Sequence, residues 1–224
     1  MLNKDIKIKT ICQTIKSRIS DINKFYRHGP DLYFYKRVFH LRQSTNITDF
    51  LNIDYNIEIL YATLVSWDMN TRGAKMKYYD EFKTCLIENL ENFKIIEILG
   101  NNRLNNKSIL LSKLGEIYDN LNFMRTNGRL VSNSKVLHFL FPKFLMPMDR
   151  SNTLYFFYNN TNESKSKYLE IMDICLEIMG IRYNWNRHLD NKWNVTVPKM
   201  IDNAILLLVG KSIKKTTVHN TAYK

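Results

Sequence analysis

Hydrophobic residues recur at steps of three and four along most of this chain, a spacing typical of amphipathic helices. The first such stretch, 8–26, carries its apolar residues on one helical face: Ile8, Ile11, Cys12, Ile15, Ile19, Ile22 and Tyr26. The sequence His-Gly-Pro at 28–30 ends the stretch, because a proline disfavours helical backbone at the residue before it. The pattern therefore predicts a first long helix that stops before Pro30.

The same spacing predicts a series of further helices. They are expected at 31–43, 56–67, 78–99, 108–123, 133–141, 150–158, 164–179 and 198–209. Gly100 and Gly180 each follow a periodic run and are expected to end a helix, and Pro198 is expected to open the last one. Strand-like alternation is confined to the short segment 191–198. The fold class expected is all-α, an irregular globule of about ten short helices.

The domain organisation follows from the absence of a long linker. We expect residues 1–224 to form one globular unit, ending in a basic tail at 211–224. The alternative is a pair of closely packed helical lobes, 56–123 and 1–55 with 124–210, separated by a cleft. The polar loop at 100–107 is the best candidate for a boundary.

Charge is the composition feature that bears most on function. The formal net charge is +12 and the pI is near 9.5, which favours a polyanionic partner, nucleic acid above all. The alternative is codon bias, because an A/T-rich genome produces a chain rich in lysine, asparagine and isoleucine. Charge alone leaves both explanations open.

Several classes of protein are disfavoured by what the sequence lacks. No apolar run approaches the ~20 residues of a membrane span, and no secretory signal is expected. Cys12, Cys85 and Cys175 are an odd number of widely spaced cysteines, which predicts a reduced, intracellular protein. The scattered histidines and the absence of nucleotide-binding glycine motifs predict neither a metal nor another cofactor.

The segment 132–157 contains a lysine and an aspartate at notable positions. Ser132, Asn133 or Ser134 is expected to cap a helix and to put Lys135 in its first turn. The positive end of the helix dipole, with partial desolvation, would lower the pKa of this lysine. A lowered pKa is what an amine nucleophile requires. The alternative is an ordinary solvated charge near a helix end.

Asp149 follows a proline and precedes the next apolar run. We expect it at the N-terminus of that helix, where free N–H groups and the dipole stabilise a carboxylate. Pro142 and Pro147 stiffen the connection between the two helices. The sequence thus offers an amine and an anion joined by a short rigid link, and the alternative for Asp149 is a plain N-cap.

The stretches RLVSNSKVLHFL and FLMPMDRSNTLYF resemble the helix-hairpin-helix DNA glycosylases, a superfamily that includes the endonuclease III-like and 8-oxoguanine glycosylases. Within it, the pattern around Lys135 and Asp149 is similar to a poorly characterised bacterial and archaeal group with an 8-oxoguanine-glycosylase-like fold. The resemblance implies a hairpin and helix that present Lys135 as catalytic nucleophile, and a following segment that presents Asp149. It also implies duplex DNA with a flipped base as the partner.

A second stretch, LYATLVSWDMN at 60–70, resembles the early helix and loop with which the family enters the duplex. By that resemblance Asp68, Met69 and Asn70 would lie beside the flipped base. Phosphates would be held by Arg72 and Lys75 in the following loop and by Ser132 and Ser134 of the hairpin.

Trp67 and His138 are the candidates for the base pocket. Other aromatic residues available for its walls, each of which also suits a core, are Phe139, Phe144, Trp185 and Trp193. The function expected is a DNA glycosylase or glycosylase/lyase. The alternatives are a non-catalytic nucleic-acid-binding protein of the same fold and an interaction protein without a nucleic-acid role.

Overall fold

The computed structural model describes residues 3–26, 29–70 and 75–220, with side chains described as far as residue 210. Its regular elements are helices, in agreement with the predicted all-α class. In chain order they are α1 Lys4–Arg18, α2 Ile22–Phe25, α3 Pro30–Ser44, α4 Ile47–Leu51, α5 Asp54–Ser66, α6 Tyr79–Glu88, α7 Leu90–Asn101, α8 Lys107–Tyr118, α9 Leu130–Leu140, α10 Tyr155–Tyr158, α11 Lys165–Gly180 and α12 Val197–Asn220. A 3₁₀ turn, Ile19–Asp21, separates α1 from α2, so the predicted helix at 8–26 is interrupted.

Most helices follow the apolar spacing of the sequence and bury their periodic face in one core. Helix α3 packs on α5, and each contributes fully buried residues to the core, Tyr35 from α3 and Leu60 from α5. Helix α12 packs on α1 and on a π-helical turn, Arg150–Leu154, that leads into α10. Helix α9 contacts α3, α5 and α11, so the segment that carries Lys135 lies at the centre of the fold.

The predicted long helix at 78–99 is wrong as a single element. It divides at Asn89, whose buried side chain donates a hydrogen bond to the Cys85 carbonyl at 2.9 Å. The predicted end at Gly100 is also wrong, because α7 continues to Asn101. Gly100 is required for another reason: a Cβ atom there would lie 2.0 Å from the Phe144 ring.

The predicted strand at 191–198 does not form. Asp190 accepts hydrogen bonds from the amides of Lys192 and Asn194 and folds this segment into a turn ahead of α12. Within the described residues the only strand-like pairing is an isolated antiparallel bridge between Met76 and Met124. The predicted division into two lobes stays a prediction. Among the helices described, none combines the length and apolar character needed to cross a bilayer.

Candidate active site

A cavity of about 420 Å³ opens where several distant parts of the chain meet. The end of α5, the first turn of α3, the middle of α9, the segment 147–152 and the first turns of α12 contribute its walls. Its chemically functional lining residues include Trp67, Lys135, Asp149, Trp193, Lys199 and Asp202. The cavity therefore brings together Lys135 and Asp149, the two residues that the sequence singled out.

Lys135 does not lie in the first turn of its helix. Helix α9 begins at Leu130, and the amide of Leu130 is capped by the Glu163 carboxylate at 2.8 Å. The prediction that Ser132, Asn133 or Ser134 caps the helix is wrong. All three side chains are buried within the helical segment, and two of them have distant partners: Asn133 donates a hydrogen bond to the Tyr118 carbonyl at 3.0 Å, and Ser134 accepts one from the Met148 amide at 3.0 Å.

The electrostatic surroundings of Lys135 favour an uncharged amine. Burial lowers the pKa of Lys135, and the cation of Lys199 adds to this effect, while Asp149 and Asp202 oppose it. The direction agrees with the sequence prediction, but the main cause is burial and not the helix dipole. The Lys135 Nζ atom donates to the Trp67 carbonyl at 2.9 Å and lies 5.9 Å from the centre of the Trp67 ring.

Asp149 is the N-cap of the π-helical turn, as the sequence predicted. Its Oδ1 atom accepts hydrogen bonds from the backbone amide and the side-chain amide of Asn152, at 2.9 and 3.0 Å. The Asp149 amide donates to the hydroxyl of the fully buried Thr153 at 3.0 Å. Among the described residues no donor occupies Oδ2, so one oxygen is fixed and the other is available to a ligand.

Two connections hold the Lys135 and Asp149 segments together. The hydroxyl of Ser134 accepts a hydrogen bond from the amide of Met148 at 3.0 Å, which joins the residues just before the lysine and just before the aspartate. Glu163 caps α9 at Leu130 and also pairs with Arg150. The relative position of the lysine and the aspartate is thus set by buried or ion-paired contacts as well as by the chain between them.

A second amine and carboxylate in the cavity were not predicted from the sequence. Lys199 and Asp202, in the first turns of α12, form an ion pair at 2.7 Å. Lys199 is only 4% exposed, and its Nζ atom lies 4.9 Å from the centre of the Trp67 ring. The available signal was the spacing of two opposite charges within the otherwise apolar run of the last helix.

Trp67 forms part of the cavity wall, whereas His138 lies behind it. The imidazole of His138 is fully buried between the Leu145 carbonyl and the Tyr35 hydroxyl, at 2.7 and 3.1 Å. Burial lowers the pKa of His138 to about 3, so the ring is neutral at physiological pH. The His138 ring stacks against the indole of Trp67, with the two ring centres 6.5 Å apart. His138 thus contacts a wall residue of the cavity without lining the cavity itself.

The other aromatic candidates also divide into residues that line the cavity and residues that belong to the core. Trp193 lines the cavity, although it was also a candidate for the core. Phe139, Phe144 and Trp185 are buried and do not line it. The cavity gains a further aromatic ring from Tyr26, whose centre lies 4.8 Å from that of Trp193.

The residues proposed to enter the duplex lie at the cavity edge. Asp68 is exposed and adopts the left-handed conformation, with φ of 61°, so the chain reverses sharply after α5. Met69 is only 3% exposed and lines the cavity, so it does not project from the surface. The Asn70 side chain accepts from the Met76 amide at 3.3 Å and closes the loop. Of the three, Asp68 is the residue that protrudes.

The residues proposed to hold phosphates have different surroundings. Arg72 lies outside the described residues. Lys75 is exposed, and its carbonyl accepts a hydrogen bond from the amide of Arg125 at 2.8 Å, so the two basic residues lie on adjacent backbone segments. Ser132 lines the cavity but is nearly buried, and Ser134 is wholly buried and bonded to Met148. Ser134 therefore has no access to a phosphate.

Within the described part of the chain, no group of three or more histidine, cysteine, aspartate or glutamate side chains is arranged to hold a metal ion. Comparison of the sequence and the fold with known protein families, with curated proteins and with solved structures finds no match in any of the three. Function is therefore inferred from the chemistry of the cavity.

Proposed function

We propose that this protein is a DNA glycosylase or glycosylase/lyase that removes a damaged or modified base from DNA. Lys135 acts as the nucleophile and Asp149 stabilises the positive charge that develops on the sugar. The observation that carries the proposal is that Lys135 and Asp149 line one cavity. They do so in the chain order implied by the resemblance of 60–70, 129–140 and 144–156 to helix-hairpin-helix glycosylases.

The cavity suits a nucleobase turned out of the helical stack. Its volume of about 420 Å³ lies within the usual range for small-molecule sites, and Trp67, Trp193 and Tyr26 supply aromatic surface. Carboxylates and amines both line the cavity, so the edge of a base can meet hydrogen-bond acceptors and donors. This combination supports recognition of a base more than recognition of a phosphate.

The proposed reaction uses the uncharged amine of Lys135. Its lone pair attacks C1′ of the flipped nucleotide, the glycosidic bond breaks, and the bonding electron pair leaves with the base, which takes up a proton. The lysine nitrogen loses a proton, the sugar ring opens, and a Schiff base between Lys135 and C1′ results. The carboxylate of Asp149, with Oδ1 held by Asn152, faces the positive charge that develops during this step.

The charge of the molecule supports duplex DNA as the substrate. A net charge of +12 favours binding to a polyanion through contacts that do not depend on base sequence. Lys75 and Arg125 are exposed basic residues on two hydrogen-bonded segments, and the Arg125 guanidinium lies over the Tyr78 ring at 3.8 Å. Arg125 stands between Met124 and Thr126, which line the cavity. Such a pair of exposed cations is suited to binding adjacent phosphates.

Covalent trapping tests the proposal. Duplexes with single damaged or modified bases are incubated with the protein and borohydride, and adducts are separated by denaturing electrophoresis. We expect an adduct with at least one modified duplex, loss of the adduct in Lys135→Ala, and retention in Lys143→Ala. Lys143 is the matched control because it is an exposed lysine in the same segment and does not line the cavity.

Base release, measured by mass spectrometry, accompanies the trapping assay. We expect Asp149→Asn to slow release much more than it weakens DNA binding. Binding with a steep salt dependence but without release from any duplex, unchanged in Asp149→Asn, would establish a non-catalytic nucleic-acid-binding protein instead. An adduct that persists in Lys135→Ala would exclude Lys135 as the nucleophile.

A further inference from the structure

Two lysine amines line the cavity, Lys135 and Lys199, and among the described carboxylates that line it only Asp202 forms an ion pair with either of them. Lys199 and Asp202 are paired at 2.7 Å, and both side chains are almost entirely buried. Lys135 forms no ion pair with any residue that the structure describes, and its Nζ atom donates to the neutral carbonyl of Trp67. The lysine that needs to be uncharged is thus the one without a carboxylate partner.

The two carboxylates with the largest influence on the pKa of Lys135 have hydrogen-bond partners of their own. Asp149 accepts two hydrogen bonds from Asn152, and Asp202 accepts from Lys199. The Lys199 and Asp202 side chains lie on the same face of α12 because the two residues are three apart, about one helical turn. The ammonium group of Lys199 is itself stabilised by the Trp67 and Trp193 rings, whose centres lie at 4.9 and 6.0 Å.

We propose that Lys199 is a positioning residue that holds Asp202 in an ion pair and so keeps the Lys135 amine free of a carboxylate partner. The inference rests on the proposed function, in which Lys135 is the nucleophile. Both amines lie over the same indole ring of Trp67, so Lys199 also acts on Lys135 as a nearby like charge. An adjacent cation and a desolvated site are the two conditions that activate a lysine nucleophile.

The charges that face Lys135 come from four elements. Asp149 precedes the π-helical turn, Asp68 follows α5, and Asp202 and Lys199 belong to α12. Asp31 of α3 also lines the cavity. Burial lowers the pKa of Lys135, the three carboxylates Asp149, Asp202 and Asp68 raise it, and Lys199 lowers it. Loss of Lys199 removes a repelling cation and releases Asp202, and both changes favour the protonated amine.

The titration of Lys135 in the absence of DNA tests the inference. The protein is labelled with ¹³C-lysine, the Cε signal of Lys135 is assigned by its loss in Lys135→Met, and its chemical shift is followed against pH. In Lys199→Met we expect the midpoint to move upward by about one to three pH units, the usual effect of gaining an opposite charge. Lys192→Met is the matched control, because Lys192 is an exposed lysine ahead of the same helix, and we expect no shift.

Asp202→Asn is expected to shift the titration midpoint of Lys135 in the opposite direction. Removing this carboxylate while Lys199 remains takes away an attraction, so the midpoint of Lys135 moves downward, and the double variant Lys199→Met/Asp202→Asn lies between the two single variants. A midpoint that stays unchanged or falls in Lys199→Met overturns the inference. If Lys199→Met does not fold, the inference is tested by Asp202→Asn alone. A Lys135 midpoint that rises or stays unchanged in that variant overturns the inference.

The pH profile of borohydride trapping gives a second result, and it separates the two proposals. If the protein traps modified DNA, the acidic limb of its profile shifts upward in Lys199→Met, whereas a merely structural role would lower trapping equally at every pH. If no duplex is trapped but the NMR midpoints shift as expected, the proposed function fails and the control of Lys135 by Lys199 stands. If modified DNA is trapped but the NMR midpoint of Lys135 does not shift in Lys199→Met, the proposed function stands and the control of Lys135 by Lys199 fails.

Discussion

The hydroxyl of Ser134 accepts a hydrogen bond from the backbone amide of Met148 at 3.0 Å, and both residues are buried. Ser134→Ala leaves that amide without a partner in the interior. We expect the free energy of unfolding to fall by about 1–3 kcal/mol, the cost of an unsatisfied buried donor. Chemical denaturation measures this loss.

The matched control for Ser134→Ala is Ser132→Ala. The Ser132 hydroxyl bonds to the Arg129 carbonyl within its own helix, at 3.1 Å, and connects nothing to the Asp149 segment. We expect a smaller loss of stability than for Ser134→Ala. Equal effects of the two substitutions would contradict a special role for the Ser134–Met148 contact.

Replacing Lys135 by methionine should stabilise the protein at neutral pH. Burial lowers the pKa of Lys135 in the folded state, so the unfolded chain binds the proton more readily and protonation favours unfolding. This penalty is greatest below the folded-state pKa and disappears as pH rises toward the ordinary value of 10.5. Denaturation of both proteins at pH 7 and pH 10 checks the prediction, and the advantage of Lys135→Met should narrow at pH 10.

His138 should make the protein sensitive to mild acid. Its pKa is lowered to about 3 by burial, so the unfolded state takes up a proton between pH 6.5 and about 3 while the folded state does not. Stability from this group is fully present above pH 6.5 and falls by roughly 2 kcal/mol by pH 5. His138→Asn lacks this titration. The difference in free energy of unfolding between wild type and variant, measured by chemical denaturation, should therefore shrink by roughly 2 kcal/mol as the pH falls to 5. A constant difference would show that the imidazole titrates normally.

Gly100→Ala should be strongly destabilising although alanine is a better helix former. The added Cβ atom would lie 2.0 Å from the buried Phe144 ring, which has to move. Overpacking of this kind costs about 1–3 kcal/mol. Gly210→Ala is the control, because nothing lies within 4 Å of its added Cβ in α12, and it should stabilise the helix by up to about 1 kcal/mol. Thermal denaturation compares the two.

The sequence by itself determined the helical class and most helix positions. Apolar spacing is a local property, so residues such as Ile57, Leu60 and Leu64 mark the buried face of α5 without knowledge of its neighbours. It also determined the N-cap role of Asp149, because the partner, Asn152, lies three residues away. Lys135 and Asp149 were singled out by sequence, but only the fold places them in one cavity.

Tertiary structure decided what depends on distant partners. The polar run at 132–134 has the composition of a helix cap, yet Tyr118 and Met148 satisfy Asn133 and Ser134 inside the helix, so α9 starts earlier at Leu130. For the same reason burial, and not the helix dipole, lowers the pKa of Lys135. Lys199 and Asp202 reach the cavity from the last helix, and no local pattern can specify a neighbour more than 60 residues away, because that proximity is created only when the core closes.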